Sequence, residues 1–170
     1  MKKLIIVFVL FINAFTIQAQ KFAFVDTDYI LSSIPTYQSA QDQLDIMAKE
    51  WQEEVEVMYN DIERLYKEFQ AEKILLTEDM KQKREEEIIQ KEREVKDLQK
   101  KYFGPEGDLF NKRKELIEPI QNDVFNAVKE IATDGNFGVI FDASGGTNML
   151  YTDPKYDKSD LVLEKLGFKN

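Results

Sequence analysis

The chain has neither cysteine nor histidine among its 170 residues. Without cysteine it has no thiol nucleophile, no disulfide and no site for lipid attachment through an N-terminal cysteine. Without histidine it lacks the usual proton shuttle near neutral pH and the commonest transition-metal ligand. These two absences exclude Ser-His-Asp triads and Cys/His zinc sites, so any catalysis would depend on carboxylates, lysines or hydroxyls.

Glycine and proline are both missing between Thr36 and Phe103. Apolar residues in the first part of this stretch recur at steps of three and four, which is the spacing of a coiled-coil seam. The sequence therefore predicts a long helix, whose pattern stops around Leu75, Leu76 and Thr77. Its predicted seam consists of Leu44, Met47, Trp51, Val55, Met58, Ile62, Leu65 and Phe69.

A second helix is predicted to run back along the first. Thr77, followed by Glu78 and Asp79, is typical of an N-cap with acids in the first turn, so we expect the chain to reverse near residues 75–78. We interpret the many charges that follow as a solvated helix face rather than a charged-ligand site. The apolar stripe is thin, which predicts mobility near the tip. The predicted return seam is Ile88, Val95, Leu98 and Tyr102.

A break interrupts the return helix at Gly104-Pro105, because proline disfavours helix at the residue before it. Folding the hairpin about its tip pairs residues whose numbers sum to about 153, which puts this break near Trp51 and a phase slip in the seam. We predict a joint there and a second bend at Pro119, with ordinary coiled-coil irregularity as the alternative. The hinge candidates are Gly104, Pro105 and Pro119.

Three short apolar runs predict strands at Phe22–Val25, Phe137–Phe141 and Met149–Tyr151, the last two as a hairpin with a glycine-containing loop. A short closing helix is predicted at Ser159–Leu166. Three strands cannot enclose much core alone, so their faces and edges need a helix or strands from other copies.

The helix after the break has apolar residues on more faces than one partner helix can cover. We expect it to end at Asp134-Gly135-Asn136, with Gly135 in the left-handed conformation. Together with the strands it makes the predicted oligomerisation surface. The candidates are Phe22, Phe24, Leu116, Ile120, Val124, Val128, Ile131, Val139, Phe141 and Leu150.

Aspartates follow each predicted strand, at Asp26 and Asp28, Asp142 and Asp153. They could form a metal site or an acid/base pair, but aspartate is also common at turns and helix caps, which is the interpretation we favour. The loop 144–147 could cradle a phosphate, yet it lacks the P-loop lysine and opens no helix, so we favour a hairpin turn. We predict no catalytic residue, no cofactor and no metal.

The first nineteen residues have the order of a secretory signal: Lys2 and Lys3, an apolar run, and small or polar residues ending at Ala19. We expect cleavage after Ala19, and favour this over a retained anchor because the run is short for a bilayer. Cleavage removes two lysines and no acid, which takes the formal net charge from −9 to −11. Such a chain should not bind nucleic acid or an anionic membrane through bulk charge.

The order of leader, short strand, long helical hairpin, strand hairpin and short helix resembles the Skp/OmpH family of periplasmic chaperones. The resemblance covers essentially the whole mature chain, although its individual motifs are short. It is carried by residues 22–26, the heptads to Phe69, residues 104–110 with Pro119-Ile120, residues 139–146 and residues 150–154.

The resemblance implies an α+β fold in which a long antiparallel helical hairpin, a coiled-coil arm, projects from a small β body. The family forms homotrimers whose strands complete a β-barrel. It implies an ATP-independent holdase, not an enzyme, that binds unfolded outer-membrane proteins in a cavity between the arms. We accordingly divide the chain into a leader (1–19), a body (20–36 and 118–170) and an arm (37–117).

The best-known members of that family are strongly basic, whereas this chain has a pI near 4.7. We therefore do not extend to this chain the capture of clients by positive charge that the resemblance would imply. Two alternatives stay open from the residues alone. One is a structural or adaptor coiled coil of the cell envelope, and the other is a carboxylate-based enzyme, which would require Asp26 and Asp142 to converge.

Overall fold

A computed structural model describes residues 21–145 and 151–169. The predicted leader, the site candidate Leu150 and most of the predicted strand Met149–Tyr151 lie outside these residues, and Tyr151 itself is not in a strand. The elements in chain order are β1 (Lys21–Val25), α1 (Thr27–Ser32), α2 (Pro35–Glu72), α3 (Glu78–Phe103), α4 (Asp108–Gly135), β2 (Phe137–Asp142), a 3-10 turn (Pro154–Tyr156) and α5 (Ser159–Lys165).

Contacts within the chain divide it into two compact units. The hairpin unit, Ile34–Asp123, contains α2, α3 and the first part of α4. The strand unit combines the described residues before Ile34 with those from Val124 onward. The predicted combination of a long helical hairpin with a small sheet is confirmed.

The ends of the two long helices follow from local sequence. Helix α2 begins at Pro35, whose missing N–H costs nothing in the first turn of a helix. Helix α3 begins after Thr77, and the Thr77 side chain accepts a hydrogen bond from the N–H of Met80, as the capping pattern predicted. Two lysines in the last turn of α3 face the negative end of the helix dipole.

One apolar cluster joins α2 to α3 in the distal part of the hairpin. Each fully buried side chain of this size stabilises the fold by about 1.5 to 3 kcal/mol relative to exposure, so the cluster accounts for the antiparallel pairing. Its buried members are Val55, Ile62, Phe69, Ile88 and Val95, with Met58, Leu65, Leu76, Leu98 and Tyr102 packed against them.

A second cluster joins α2 to the first part of α4. Its buried members are Ala40, Leu44 and Ile117, and four partly buried residues pack against them. Met47 and Trp51 are partly buried at the positions on α2 between the two clusters. The hairpin unit therefore has two separate cores, one on each side of the break between α3 and α4.

Helix α4 contains Pro119 within its length, so the bend predicted there does not end the helix and stays a prediction. The end of the helix differs from what the sequence predicted. The left-handed residue that follows it is Asn136, with φ of 52°, so the prediction for Gly135 was wrong. Asparagine tolerates this conformation better than most residues. Glycine is needed at 135 for a different reason, because a Cβ there would lie 2.2 Å from the Phe137 ring.

The two strands of the strand unit are parallel, with Phe22 opposite Val139 and Phe24 opposite Phe141. A parallel pair requires a long crossover connection, and residues 26–136, which include the whole hairpin unit, form that connection. The N–H of Lys158 donates a 2.9 Å hydrogen bond to the carbonyl of Phe24, which ties the segment before α5 to β1. The core of this unit includes Ala23, Val25, Ile30, Val162 and Leu163.

Candidate functional site

Large apolar side chains are exposed on the sheet of the strand unit. Phe22 and Val139, which face each other across the two strands, are each 50% exposed. The Phe22 ring also lies 4.9 Å from the ring of Tyr156. A cleft of about 280 Å³ opens here and is lined by aromatic side chains of Phe22, Phe24, Phe141, Tyr151 and Tyr156. Within one chain, this apolar surface is therefore only partly covered.

The other oligomerisation candidates are distributed over both units. Val124 and Ile131 are buried and Val128 is half-buried in the strand unit, so their apolar surface is largely covered within one chain. Leu116 and Ile120 pack against the Ala40 and Leu44 cluster of the hairpin unit. Phe125 follows Val124 on α4 and is exposed. It is not among the candidates because in the sequence it flanks the apolar stripe that contains Val124 and Val128.

The aspartates that follow the strands accept hydrogen bonds at helix caps and turns. Asp26 is the N-cap of α1 and accepts a 2.9 Å hydrogen bond from the Tyr29 N–H, and Asp153 caps the 3-10 turn. Asp28 lies in the first turn of α1. Asp142 accepts hydrogen bonds from the backbone N–H and the hydroxyl of Thr27. These contacts support the turn-and-cap interpretation.

The environment of Asp142 favours its charged form. Partial burial raises the pKa of Asp142, but hydrogen bonds from Thr27 and Ser144 outweigh that effect and hold the pKa below its usual value. Over residues 21–145 and 151–169, no group of three or more acidic side chains is placed so that it could hold a metal ion.

The joint between α3 and α4 has aromatic packing. The rings of Trp51 and Tyr102 stack at 4.7 Å between centroids and 6° between planes, as expected for residues whose numbers sum to 153. The Tyr102 hydroxyl donates a 2.8 Å hydrogen bond to Glu54, and this bond raises the pKa of the phenol. The pairing register predicted for the hairpin is confirmed at this contact.

The turn between α2 and α3 exposes two adjacent aliphatic residues. Ile74 is 93% and Leu75 is 85% exposed. Further along the hairpin, Val57, Tyr66 and Ile89 also expose large apolar surface.

Between these apolar positions, the charged side chains pair mostly within one helix, for example Lys67 with Glu63 and Lys83 with Asp79. Such exposed pairs contribute little to stability, and they agree with a solvated helix face. The hairpin thus offers scattered apolar contacts within a charged surface.

None of the helices in the described ranges is both long enough and apolar enough to cross a membrane. The arrangement offers surfaces for binding other polypeptides: an aromatic cleft on the strand unit and a long hairpin with exposed apolar side chains.

Comparison with known proteins identifies a matching family and a solved structure of similar fold. The family described as outer membrane protein (OmpH-like) matches residues 21–166. No protein with a curated functional description matches the sequence. The fold is similar to the crystal structure of a candidate outer membrane chaperone (OmpH-like) from Caulobacter crescentus CB15, with a TM-score of 0.68 and 10% sequence identity, over 86% of this chain and 83% of that chain.

Proposed function

The chain belongs to the OmpH-like outer membrane protein family, and from that premise we propose that it is an ATP-independent chaperone that holds unfolded outer-membrane proteins in the periplasm. The observation that carries the proposal is the family match over residues 21–166. The candidate chaperone of similar fold supports the same role. We propose no enzymatic activity and no cofactor.

The dimensions of the hairpin suit this role. Helix α2 has 38 residues, which at about 1.5 Å per residue gives a length of roughly 57 Å. Its seam residues from Val55 to Phe69 are packed against α3, while Val57 and Tyr66 on the same helix and Ile74 in the following turn lie outside that cluster and are exposed. Many weak apolar contacts of this kind can hold an unfolded chain without selecting one sequence.

The strand unit suits self-association. Its two strands leave the aromatic cleft around Phe22 and Phe141 partly open. Strands from other copies would cover this cleft and extend the sheet. We propose that three copies assemble as a homotrimer with a shared β-barrel, and that clients are held in a cavity between the three hairpins.

The charge of the chain limits how clients are held. With the leader removed the formal net charge is −11. The overall charge would therefore attract basic client segments and repel acidic ones. We propose that apolar contacts dominate and that added salt weakens binding only slightly. Export is proposed from the leader sequence, with the mature chain in the periplasm and no stable membrane anchor.

The experiment that tests this function follows light scattering as a urea-denatured outer-membrane β-barrel protein is diluted into buffer. Stoichiometric mature protein should suppress the aggregation without ATP. A variant lacking Met47 to Tyr102 should not suppress it, while sedimentation shows whether the remaining part still assembles. Undiminished aggregation with the full chain would favour the alternative of a structural coiled coil of the envelope.

A further inference from the structure

Residues 41–61 of α2 carry most of the negative charge of the hairpin unit. They contain seven acidic side chains and one lysine, which gives a formal charge of −6 out of −8 for the unit. Residues 62–73 have three acids and three bases, and α3 has eight of each. The excess charge is therefore confined to one stretch of helix. Its acidic residues are Asp42, Asp45, Glu50, Glu53, Glu54, Glu56 and Asp61.

Two large aliphatic side chains are exposed in the same stretch. Ile46 is 58% and Val57 is 61% exposed. Each comes two positions after a buried residue, the first after Leu44 and the second after Val55. Two positions correspond to about 200° around a helix, so both side chains lie opposite the packed seam of α2. Eleven positions, or about three turns, separate the two, which places them on one helix face about 16 Å apart.

Carboxylates occupy that face between the two aliphatic side chains. Glu50 comes four positions after Ile46, and Glu53 comes four positions before Val57. Residues four positions apart are neighbours on a helix surface. The single base of the stretch, Lys49, lies 4.0 Å from Glu53 in a largely exposed pair, and such a pair is weak. We call Ile46, Glu50, Glu53 and Val57 the acidic face; it combines exposed apolar surface with negative charge.

We propose that the acidic face binds segments of unfolded polypeptide in which lysine or arginine lies between aliphatic residues. An extended segment rises about 3.3 Å per residue, so aliphatic residues four to six positions apart reach both Ile46 and Val57. The basic side chains between them meet the carboxylates of Glu50 and Glu53. Another copy of this chain is disfavoured as the occupant, because it carries the same negative charge. That the segment belongs to a client rests on the function proposed above.

The test measures binding of a short fluorescent peptide to the mature full chain by fluorescence anisotropy. In the probe peptide, lysines separate two leucines, and in the control peptide glutamates replace those lysines. The lysine peptide should bind about tenfold more tightly, because the carboxylates attract one peptide and repel the other. Raising the salt from about 20 to about 300 mM should weaken its binding severalfold by screening. A whole client makes many apolar contacts elsewhere, so its binding should respond less to salt.

Two double variants test the charged and the apolar part of the face separately. Glu50→Gln with Glu53→Gln should weaken binding of the lysine peptide about fivefold, and Ile46→Ser with Val57→Ser should weaken it by a similar factor. The matched control is Glu85→Gln with Glu86→Gln, which removes the same charge from exposed positions of α3. This control should change the affinity less than about twofold. All the substituted residues are exposed, so circular dichroism should show unchanged helix content.

Three results would overturn the proposal: no binding of the lysine peptide, equal weakening by the α2 and α3 charge variants, or a changed mass of the assembly when Ile46 and Val57 are replaced. The second result would show attraction by net charge alone, and the third would show an interface between copies. A chain that binds the peptide at this face but does not suppress client aggregation would contradict the chaperone function while supporting the acidic face, so the two failures are distinguishable.

Discussion

The hydroxyl of Thr27 donates a 2.7 Å hydrogen bond to the carboxylate of Asp142, 115 residues further along the chain. This bond joins the start of α1 to the end of β2. The N–H of Ser144 donates to the same carboxylate at 3.0 Å. One carboxylate thus connects the segments on both sides of the long crossover.

The first prediction concerns the stability of the fold at low pH. Because the pKa of Asp142 is lowered in the folded state, its contribution to the free energy of unfolding is present above the unfolded pKa, about 4, and is lost as the pH falls through the folded value. Asp142→Asn should therefore flatten the acid side of the stability curve, measured by urea unfolding from neutral pH downward. Asp28→Asn, the removal of an exposed charge in α1, is the control. Equal slopes for the two variants would contradict this role.

The second prediction concerns the cluster that joins α2 to the first part of α4. Leu44 is 1% exposed, so Leu44→Ala should lower the free energy of unfolding by about 2 to 5 kcal/mol through lost burial and the cavity left behind. Ile46, two residues away on the same helix, is 58% exposed. Ile46→Ala should change stability by less than about 0.5 kcal/mol. Thermal unfolding followed by circular dichroism compares the two, and similar losses would refute the assignment of the buried face.

The third prediction concerns assembly. Val139→Asp should dissociate the proposed trimer, because the charge would be buried against another copy without a partner. The matched control is Val57→Asp, since Val57 is similarly exposed but lies on the hairpin unit. Analytical ultracentrifugation should show a smaller species for Val139→Asp alone, with helix content kept in both variants. A Val139→Asp protein of unchanged mass would place the interface elsewhere.

The fourth prediction concerns the turn at the end of the hairpin. Replacing Ile74 and Leu75 by serine should weaken retention of an unfolded client while leaving stability within about 0.5 kcal/mol, because both side chains are exposed in the free protein. The control replaces the neighbouring Gln70 and Ala71 by serine, which removes little apolar surface. The measurement is the yield of client complex after gel filtration. Equal yields for both double variants would remove this turn from the client-binding surface.

Local sequence predicted the hairpin well, because its determinants are close together in the chain. The cap at Thr77 and the break at Gly104 each depend on a few neighbouring residues. The pairing of Trp51 with Tyr102 followed from the position of the tip alone, since two antiparallel helices of regular rise have only one register once their turn is fixed.

The strand unit was less predictable for the opposite reason. The pairing of β1 with β2 joins residues more than 110 positions apart, and no local pattern specifies a parallel partner at that distance. Helix α1 has only six residues, too few for a periodic signal. Gly135 was assigned the left-handed position from residue type, but the nearby Phe137 ring explains the glycine, and Asn136 takes that conformation.

The oligomerisation candidates were also only partly predictable from local sequence. Val124 is buried in the single chain while its neighbour Phe125 is exposed, and which of two adjacent apolar side chains stays free to contact another copy depends on packing that the sequence does not display. The functional role of the candidates, the boundaries drawn between arm and body, and the hinge at Pro119 stay predictions.

The most direct test of the account is native mass spectrometry of the mature protein, alone and after mixing with a urea-denatured outer-membrane β-barrel protein. The account predicts a trimer that begins near Gln20, and a second species whose mass equals that trimer plus one client chain. A monomer that gains no mass in the presence of the client would contradict both the assembly and the chaperone function.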